Sequence, residues 1–252
     1  KFGGSSLSTP DRVRDVARII LSASRKERVV VVVSAFQGVT NQLLEAARLA
    51  AAGDAAHRKL LQQIEHRHRE ALKRLLGGRI DRRSMQVLDG CFQELRDALH
   101  GMYLLRDCPP RALDLAASFG ERLSAWILAS SMNRTRPVRY VDSRGLVVTD
   151  DQFTHAAVLF DRTNAAIRIY FKKLRSRSAI AIVTGFIGAT EDGRTTTIGR
   201  NGSDYSAAIF GAALRASVIE IWTDVDGVFS ADPRIVPAAF VLPNISYEEA
   251  ME

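Results

Sequence analysis

A short apolar run and a helical repeat stand close together near the start of the chain. Val29–Ser34 is rich in β-branched residues and is typical of a strand buried on both faces of a sheet. Before it, Thr9 and Pro10 form an N-cap and first-turn signal, and apolar residues then recur at helical spacing as far as Leu21. The order strand, glycine turn, helix, strand predicts the start of a parallel sheet.

A long helical pattern follows, from about residue 41 to residue 106. Its apolar residues recur three and four positions apart, and Gly53 and the Gly-Gly pair at 77–78 interrupt it. The Pro-Pro pair at 109–110 ends the pattern and begins a further helix. We therefore expect an excursion of two or three helices laid on an α/β core.

The sheet pattern resumes after this excursion. Helices are predicted through Ala165–Leu174 and at about Ser203–Leu214. No internal repeat and no low-complexity linker interrupts the chain, so a single domain over residues 1–252 is predicted. The predicted strands are Val138–Val141, Leu146–Val148, Ala179–Thr184 and Val218–Thr223.

Composition excludes several classes of protein. The 252 residues are 46% hydrophobic and 25% charged, which is unlike disordered, collagenous or disulfide-scaffold chains. Cys91 and Cys108 lack metal-ligand spacing and favour reduced thiols in a cytosolic protein. No apolar run reaches the ~18 residues of a membrane span. The chain opens on Lys1 within a predicted strand and stops within the helical phrase Ser246–Glu252, so we expect it to be a piece of a longer protein.

The net charge of +7 suits either nucleic acid or small anionic substrates. Much of the basic excess lies between Arg58 and Arg83, where acidic residues are interspersed and aromatic residues that could stack on bases are missing. This distribution favours a solvated helix face over a nucleic-acid surface.

Three glycine-bearing segments accompany predicted strands, where open α/β sheets bind their ligands. In Lys-Phe-Gly-Gly-Ser-Ser at 1–6, adjacent glycines and a lysine suit a phosphate, although a Gly-Gly pair after a strand is more often a plain turn. In the segment at 199–206, Ser203 is a candidate N-cap, Asp204 suits a first turn, and Arg200 fits a carboxylate. The acidic loop at 222–234 suits a nucleotide, a magnesium ion or an ordinary turn.

The segment Ser-Phe-Gly-Glu at 118–121 has two interpretations. It is a capping box if a helix begins at Ser118. If the preceding helix instead continues through this segment, Gly120 destabilises it by about 1 kcal/mol relative to alanine. In that case the glycine would serve a function, by letting another segment approach the helix backbone closely beside a buried Glu121. The five histidines show no metal-ligand spacing, and we predict no metal-ligating residue in this chain.

Six segments in this order resemble the aspartokinase family, and the resemblance covers essentially the whole chain. The Arg-Asn-Gly-Ser-Asp form at 200–204 is similar to the kinase part of bifunctional aspartokinase–homoserine dehydrogenases. The segments are Lys-Phe-Gly-Gly-Ser-Ser at 1–6, Ser-Ala-Phe-Gln-Gly-Val-Thr-Asn at 34–41, Ser-Phe-Gly-Glu at 118–121, Gly-Phe-Ile-Gly at 185–188, Gly-Arg-Asn-Gly-Ser-Asp-Tyr-Ser at 199–206 and Trp-Thr-Asp-Val-Asp-Gly-Val at 222–228.

This resemblance implies an α/β fold of the amino-acid-kinase type, a three-layer α/β/α sandwich with a central, mostly parallel sheet and, here, the helical excursion. It also implies phosphoryl transfer from ATP, with Mg²⁺, to the side-chain carboxylate of L-aspartate. The product would be 4-phospho-L-aspartate, on the route to lysine, threonine and methionine. A cytoplasmic location, a homo-oligomeric full-length parent, and no nucleic-acid or membrane partner are expected.

The resemblance assigns roles to individual residues. Lys1 and Asp204 are the predicted catalytic residues, with Asp204 orienting the lysine, while Glu121 faces the ammonium of aspartate and Arg200 its α-carboxylate. The predicted aspartate-binding residues are Ser34, Thr40, Glu121, Arg200, Asn201, Gly202 and Ser203. The predicted ATP-binding residues are Lys1, Gly3, Gly4, Ser5, Thr223, Asp224, Phe229 and Arg234.

The chain departs from the family pattern in three places. Phe119 stands where many members have histidine, and Phe229 where many have tyrosine, which removes a hydroxyl from the expected nucleotide pocket. The Gly-Ala-Lys segment that the family places after a phrase like Ser246–Glu252, and the paired regulatory ACT modules, are absent from these residues. We therefore expect substrate binding with weak catalysis from this piece.

Two alternatives stay open at this point. Another amino-acid kinase, acting on glutamate, acetylglutamate, carbamate or UMP, shares much of the pattern, although Glu121 and Arg200 favour a free α-amino acid over UMP. A non-catalytic basic module that binds nucleic acid belongs to a different class. A steep salt dependence of binding to arbitrary DNA or RNA would identify the nucleic-acid-binding module.

Overall fold

The structure is a computed structural model that describes residues 1–78, 82–133, 135–174, 180–199, 201–246 and 248–249. It divides into two compact units, Lys1–Trp222 and Thr223–Glu252, which are described separately. The helices of the first unit are α1 (Pro10–Ala23), α2 (Val39–Ala51), α3 (Ala56–Leu75), α4 (Arg82–Leu105), α5 (Pro110–Met132), α6 (Phe160–Lys173) and α7 (Gly202–Leu214), with short 3₁₀ turns at Ser5–Leu7 and Ser143–Gly145. The strands are β1 (Val30–Val33), β2 (Val138–Val141), β3 (Ile180–Thr184), β4 (Ile187–Ala189) and β5 (Thr195–Thr197).

The central sheet is parallel, as the sequence predicted. β3 lies between β1 and β2, with Val31 paired to Ile182 and Tyr140 paired to the same residue from the other side. Phe2 adds a further parallel bridge, since its N–H donates to the Val32 carbonyl at 3.0 Å and it also pairs with Trp222. A separate antiparallel pair is formed by β4 and β5. The predicted strands at 29–34, 138–141 and 179–184 are confirmed, apart from residue 179, which lies outside the described residues.

Two other strand predictions are wrong. The segment 146–148 follows a 3₁₀ turn, and it pairs only through an isolated bridge between Val148 and Ala189. The segment 218–222 forms a single isolated bridge, between Trp222 and Phe2, and the Glu220 carbonyl accepts the Lys1 amino group. Its large apolar side chains are 40–66% exposed rather than buried on both faces. An apolar β-branched run is therefore not sufficient for a strand, because the run also needs neighbouring backbone to complete a ladder.

The helical excursion is confirmed and consists of three helices, α2, α3 and α4. Gly53 follows the end of α2 with a φ of +71°, and the Gly-Gly pair at 77–78 follows α3 with φ values of +63° and +77°. Thr9 caps α1 by accepting the N–H of Arg12 at 3.3 Å, and Pro110 begins α5. The cap, proline and glycine signals in the sequence thus mark helix ends that the structure confirms.

Helices cover both faces of the sheet. Val31 and Ile182 face a core formed with α1 to α5, whereas Val32 and Val183 face a second core formed with α6 and α7. The side chains alternate because successive residues of a strand point to opposite faces. This layering confirms the predicted α/β/α arrangement and leaves α5 buried along most of its length.

The second unit contains no helix or ladder of strands in its described part. Its backbone doubles back through a bridge between Phe229 and Val241, supported by the N–H of Ser230 on the Phe240 carbonyl at 2.9 Å. Within the described ranges of the whole chain, no helix is long and apolar enough to cross a membrane.

Candidate active site

A cleft of about 710 Å³ opens in the first unit at the carboxyl ends of β1 and β3. The loop after β1, the loop after β3, and the N-termini of α2 and α7 form much of its wall. This is the edge of an open α/β sheet where ligands usually bind, and helix N-termini there attract anions. Nine of the predicted site residues line it: Lys1, Gly4, Ser34, Thr40, Glu121, Asn201, Gly202, Ser203 and Asp204.

Lys1 and Asp204 form an ion pair at the N-terminus of α7. The Lys1 Nζ atom lies 2.7 Å from Asp204 Oδ1, with the lysine side chain 9% exposed and the aspartate side chain 43% exposed. Gly3 lies beside this pair, because a Cβ at Gly3 would sit 3.5 Å from Lys1 Nζ. The structure therefore brings the two predicted catalytic residues together.

Gly4 is required by a close approach between two loops. A Cβ at Gly4 would lie 2.9 Å from the Ala35 carbonyl oxygen and 3.4 Å from Gln37 N, so a larger residue would push the loop after β1 away. Ser5 follows in a 3₁₀ turn, and its carbonyl accepts Arg12 Nη1 at 2.8 Å. The predicted phosphate turn is therefore packed directly against the loop that begins at Ser34.

The N-terminus of α2 carries Thr40 to the cleft. Gly38 precedes the helix in the left-handed region, with a φ of +80°, a conformation that favours glycine. Across the described part of the chain, the N–H groups of Thr40 and Asn41 have no hydrogen-bond acceptor. These first-turn N–H groups and the positive end of the helix dipole suit an anionic ligand.

α5 runs straight through the Ser-Phe-Gly-Glu segment, so the capping-box interpretation is excluded. Gly120 faces the loop after β1, where a Cβ would lie only 2.7 Å from the Ala35 Cβ. Glu121 is buried, and its Oε1 accepts the Ala35 N–H at 3.1 Å. Ser124 donates to the Ser34 carbonyl at 2.6 Å, so α5 holds this loop at two successive residues.

The Glu121 carboxyl is electrostatically unusual. Its Oε2 atom is buried without a hydrogen-bond partner among the described residues. Burial raises the pKa of Glu121 from 4.5 to about 8. The hydrogen bond from the Ala35 N–H stabilises the charged form, but it offsets only part of the effect of burial. A cation that entered the cleft and approached Oε2 would lower this pKa again.

α7 begins differently from the prediction. Its N-cap is Asn201, in the left-handed region with a φ of +55°, and the helix starts at Gly202, so Ser203 lies in the first turn and is not the N-cap. The predicted first-turn position of Asp204 is confirmed. A Cβ at Gly202 would lie 2.6 Å from the Phe186 ring, so the helix start is packed tightly against the loop after β3.

The other predicted residues lie outside the described part of the first unit. Arg200 lies outside the described residues. Thr223, Asp224, Phe229 and Arg234 belong to the second unit, where Thr223 Oγ1 donates to Asp224 at 3.1 Å and Arg234 pairs with Asp232 at 2.7 Å. Their predicted contact with a nucleotide stays a prediction.

Asp114 is a cleft residue that sequence reasoning missed. It is 1% exposed, and it accepts the N–H groups of Thr154 and Thr197 at 2.9 and 3.1 Å and the Thr197 hydroxyl at 2.7 Å. Desolvation raises its pKa, although these three hydrogen bonds oppose the change. An available signal was its position seven residues before Glu121, which places both acids on one face of α5.

A cleft at the carboxyl edge of a parallel sheet between two helical layers is typical of α/β proteins that bind small ligands. A family model for the amino acid kinase family matches residues 1–252, and the chain belongs to that family. This agrees with the α/β/α layering and with the fold that the sequence resemblance implied.

Its relatives include aspartokinases. The chain is 35% identical to the chloroplastic bifunctional aspartokinase/homoserine dehydrogenase 2 of Zea mays, with all of this chain and 27% of the relative covered. It is also 35% identical to the chloroplastic aspartokinase 1 of Arabidopsis thaliana, covering 44% of that protein. The chain thus spans less than half the length of these curated relatives.

Among solved structures, E. coli aspartokinase III in complex with aspartate and ADP is similar to this chain. The two superpose with a TM-score of 0.84 at 31% identity, over 96% of this chain and 52% of the other. The Clostridium acetobutylicum aspartate kinase gives a TM-score of 0.76 at 26% identity, covering 99% and 52% of the two chains.

Proposed function

We propose that this chain is the catalytic part of an aspartate kinase, which transfers the γ-phosphoryl group of ATP to the side-chain carboxylate of L-aspartate. The observation that carries the proposal is that one cleft contains both the unpartnered Glu121 Oε2 and the Lys1–Asp204 pair at a helix N-terminus. An amino acid with an anionic side chain needs both kinds of partner. The relatives named aspartokinase support the same conclusion.

Glu121 binds the ammonium group of aspartate in this proposal. The ammonium supplies the positive charge that a buried carboxylate lacks, and it donates a hydrogen bond to Oε2. Ser34, Thr40, Asn201 and Ser203 contribute polar side chains around the same cleft, which Gly202 also lines. Arg200 is proposed to pair with the α-carboxylate from its place in the sequence beside Asn201.

Lys1 and the turn at Gly3 to Ser5 bind the transferring phosphoryl group. Lys1 neutralises charge on the oxygen atoms of the phosphoryl group. Asp204 keeps the Lys1 ammonium in place, with Oδ1 2.7 Å from Nζ. The aspartate side chain is already ionised at neutral pH, so its oxygen attacks the γ-phosphorus without a general base. ADP leaves from the opposite side, and catalysis consists mainly of positioning and charge neutralisation.

ATP is the proposed phosphoryl donor, and Mg²⁺ is proposed to enter with it. Kinase sites hold Mg²⁺ through substrate phosphates together with one or two carboxylates. Asp204 lies at the cleft but pairs with Lys1, and the described residues contain no cluster of three His, Cys, Asp or Glu residues that would hold a metal by itself, so the phosphates of ATP would be the main ligands of the ion. Thr223, Asp224, Phe229 and Arg234 are proposed to line the nucleotide pocket.

Several wider statements belong to the same proposal. The product, 4-phospho-L-aspartate, would serve lysine, threonine and methionine synthesis, and the full-length parent is proposed to be a cytoplasmic homo-oligomer. Two of the relatives named above are described as chloroplastic.

Thermal unfolding with ligands tests the function directly. The chain is measured with Mg²⁺-ATP alone, with L-aspartate added, and with L-glutamate added. A ligand at about 100 times its Kd adds about 2.7 kcal/mol to the free energy of unfolding, which raises the Tm by several degrees at this size. We expect a rise with aspartate and none with glutamate.

Two results would contradict the proposal. A rise with glutamate equal to that with aspartate would assign the cleft to a different amino acid. A rise with ATP and none with either amino acid would leave a nucleotide-binding member of the family with another acceptor.

A further inference from the structure

Arg67 of α3 joins two separate loops with one guanidinium group. Its Nη1 donates to the Gln37 carbonyl at 2.8 Å, and its Nη2 donates to the Ser8 carbonyl at 3.0 Å. Its Cζ also lies 5.7 Å from the centre of the Phe36 ring. The planar fork of arginine reaches two acceptors at once, which the single ammonium of lysine does not reproduce.

The two segments are called the glycine loop, residues 3–8, and the acceptor loop, residues 34–40, which includes the first two residues of α2. They touch at Gly4, whose Cβ position lies 2.9 Å from the Ala35 carbonyl and 3.4 Å from Gln37 N. Arg67 therefore bridges the same two loops that Gly4 allows to come together. One contact limits how closely the loops approach, and the other prevents them from separating.

His68, the next residue of α3, supports the acceptor loop as well. Its ring stacks on Phe36 with centroids 4.9 Å apart and an angle of 4° between the planes. The ring is buried, and its Nδ1 pairs with the Ile64 carbonyl at 2.7 Å. Because Leu61 and Ile64 of α3 belong to the core, the two consecutive side chains extend from a fixed base.

We propose that Arg67 is a positioning residue that sets the spacing between the glycine loop and the acceptor loop. The inference rests on the proposed function, in which the first loop holds the phosphoryl group and the second helps to hold aspartate. Arg67 touches neither substrate in this proposal. A change in loop spacing alters the distance between phosphorus and the attacking oxygen, so it affects turnover more than the binding of either substrate alone.

The test compares Arg67→Met, Arg67→Lys and Arg69→Met in the full-length protein. Arg69 is a matched control on the same helix, because it pairs with Glu65 and Asp89 at 2.6 Å and bridges neither loop. The measurements are kcat, the Kd of L-aspartate, the Tm, and backbone hydrogen exchange across residues 3–8 and 34–40 without ligand.

Arg67→Met is expected to lower kcat about ten- to a hundredfold, the range that a displacement of about 1 Å produces, with the Kd of aspartate changed less than about threefold. It is also expected to speed exchange in both loops. Arg67→Lys restores one of the two bonds and gives an intermediate kcat. Arg69→Met leaves kcat and exchange in both loops unchanged, even if it lowers the Tm.

The inference is overturned if exchange in the two loops is the same in Arg67→Met as in the unmodified protein, or if Arg69→Met reduces kcat equally. The proposed function fails separately, if the unmodified protein does not phosphorylate aspartate. In that case exchange in the two loops still decides the role of Arg67, because this measurement requires no substrate.

Discussion

α5 and α7 both bring polar groups to the cleft, but they do so in opposite ways. α5 presents Glu121 from the middle of the helix, where the carboxyl is buried and one oxygen is unpartnered. α7 presents its own N-terminus, where Asp204 is half exposed and paired with Lys1. One side of the cleft therefore lacks a positive charge, whereas the other supplies positive charge through a lysine and a helix end.

This difference shows how one cleft can select a ligand that carries both signs of charge. Burial makes Glu121 costly to ionise until a cation arrives. The α7 side is ready for an anion before any ligand binds, because Lys1 and the positive end of the helix dipole are already in place. Changes on the α7 side should therefore affect charge development during reaction, and changes on the α5 side should affect recognition.

The largest effect is expected on the α7 side. In the full-length protein, Lys1→Ala should lower kcat by about 10²–10³, the usual cost of removing one group that stabilises transition-state charge. The Kd of L-aspartate should change only a few-fold, because the proposed ammonium contact at Glu121 would remain. Steady-state kinetics and calorimetric titration would separate the two quantities. Normal turnover together with a weakened aspartate affinity would contradict the role given to Lys1.

A smaller effect, on aspartate binding rather than on turnover, is expected on the α5 side. Glu121→Gln keeps an oxygen for the Ala35 N–H but removes the charge, so the Kd of L-aspartate should rise about ten- to a hundredfold. The affinity for ATP alone should stay the same, and it serves as the control.

Glu121→Gln should also change the pH dependence of the free energy of unfolding in the ligand-free protein. Since the pKa of Glu121 is raised to about 8, the native chain keeps a proton that the unfolded chain has released between pH 4.5 and 8. The free energy of unfolding should therefore fall as pH rises through this window, and Glu121→Gln should remove that part of the slope. Equal slopes with and without the substitution would show that the carboxyl is not buried as described.

The smallest effect concerns the far end of α7. Arg215 ends this helix in the left-handed region with a φ of +52°, where glycine is favoured. Arg215→Gly should raise the free energy of unfolding by about 0.5–1 kcal/mol, net of the greater freedom of glycine in the unfolded chain. Denaturant titration measures this, and an unchanged affinity for aspartate would confirm that only the N-terminal end of α7 serves the cleft.

Much of the fold was predictable from local signals. The β-branched run of β1, the Thr9 cap and the Gly-Gly pair at 77–78 each specify structure through their immediate neighbours. The segment 218–222 was not predictable in this way, because its burial depends on what lies beside it. The same limitation explains the N-terminus of α7. Ser203 is a good N-cap by local sequence, but the N-cap in the structure is Asn201, two residues earlier, in the left-handed conformation.

The candidate site was predictable to the extent that family motifs describe it. The motifs identified Lys1, Glu121 and Asp204, which line one cleft. They did not identify Asp114 or Arg67, whose partners are distant in sequence and are mostly backbone groups. Contacts with backbone groups leave little local pattern, since any residue can supply a carbonyl or an N–H group, and the signal for Asp114 was its place on the Glu121 face of α5.

The central pairing of β1 with β3 also governs how the chain folds. Val31 and Ile182 are neighbours in the sheet although the whole helical excursion lies between them in sequence. Closing so long a loop is entropically expensive, and domains built on such distant contacts fold slowly, whereas helices α2 to α4 gain their contacts locally. The cleft lies at the ends of β1 and β3, so it cannot be complete before these strands pair, and we expect this pairing to be a late step. Aspartate binding would therefore report on the finished fold during refolding, well after helical circular dichroism has recovered.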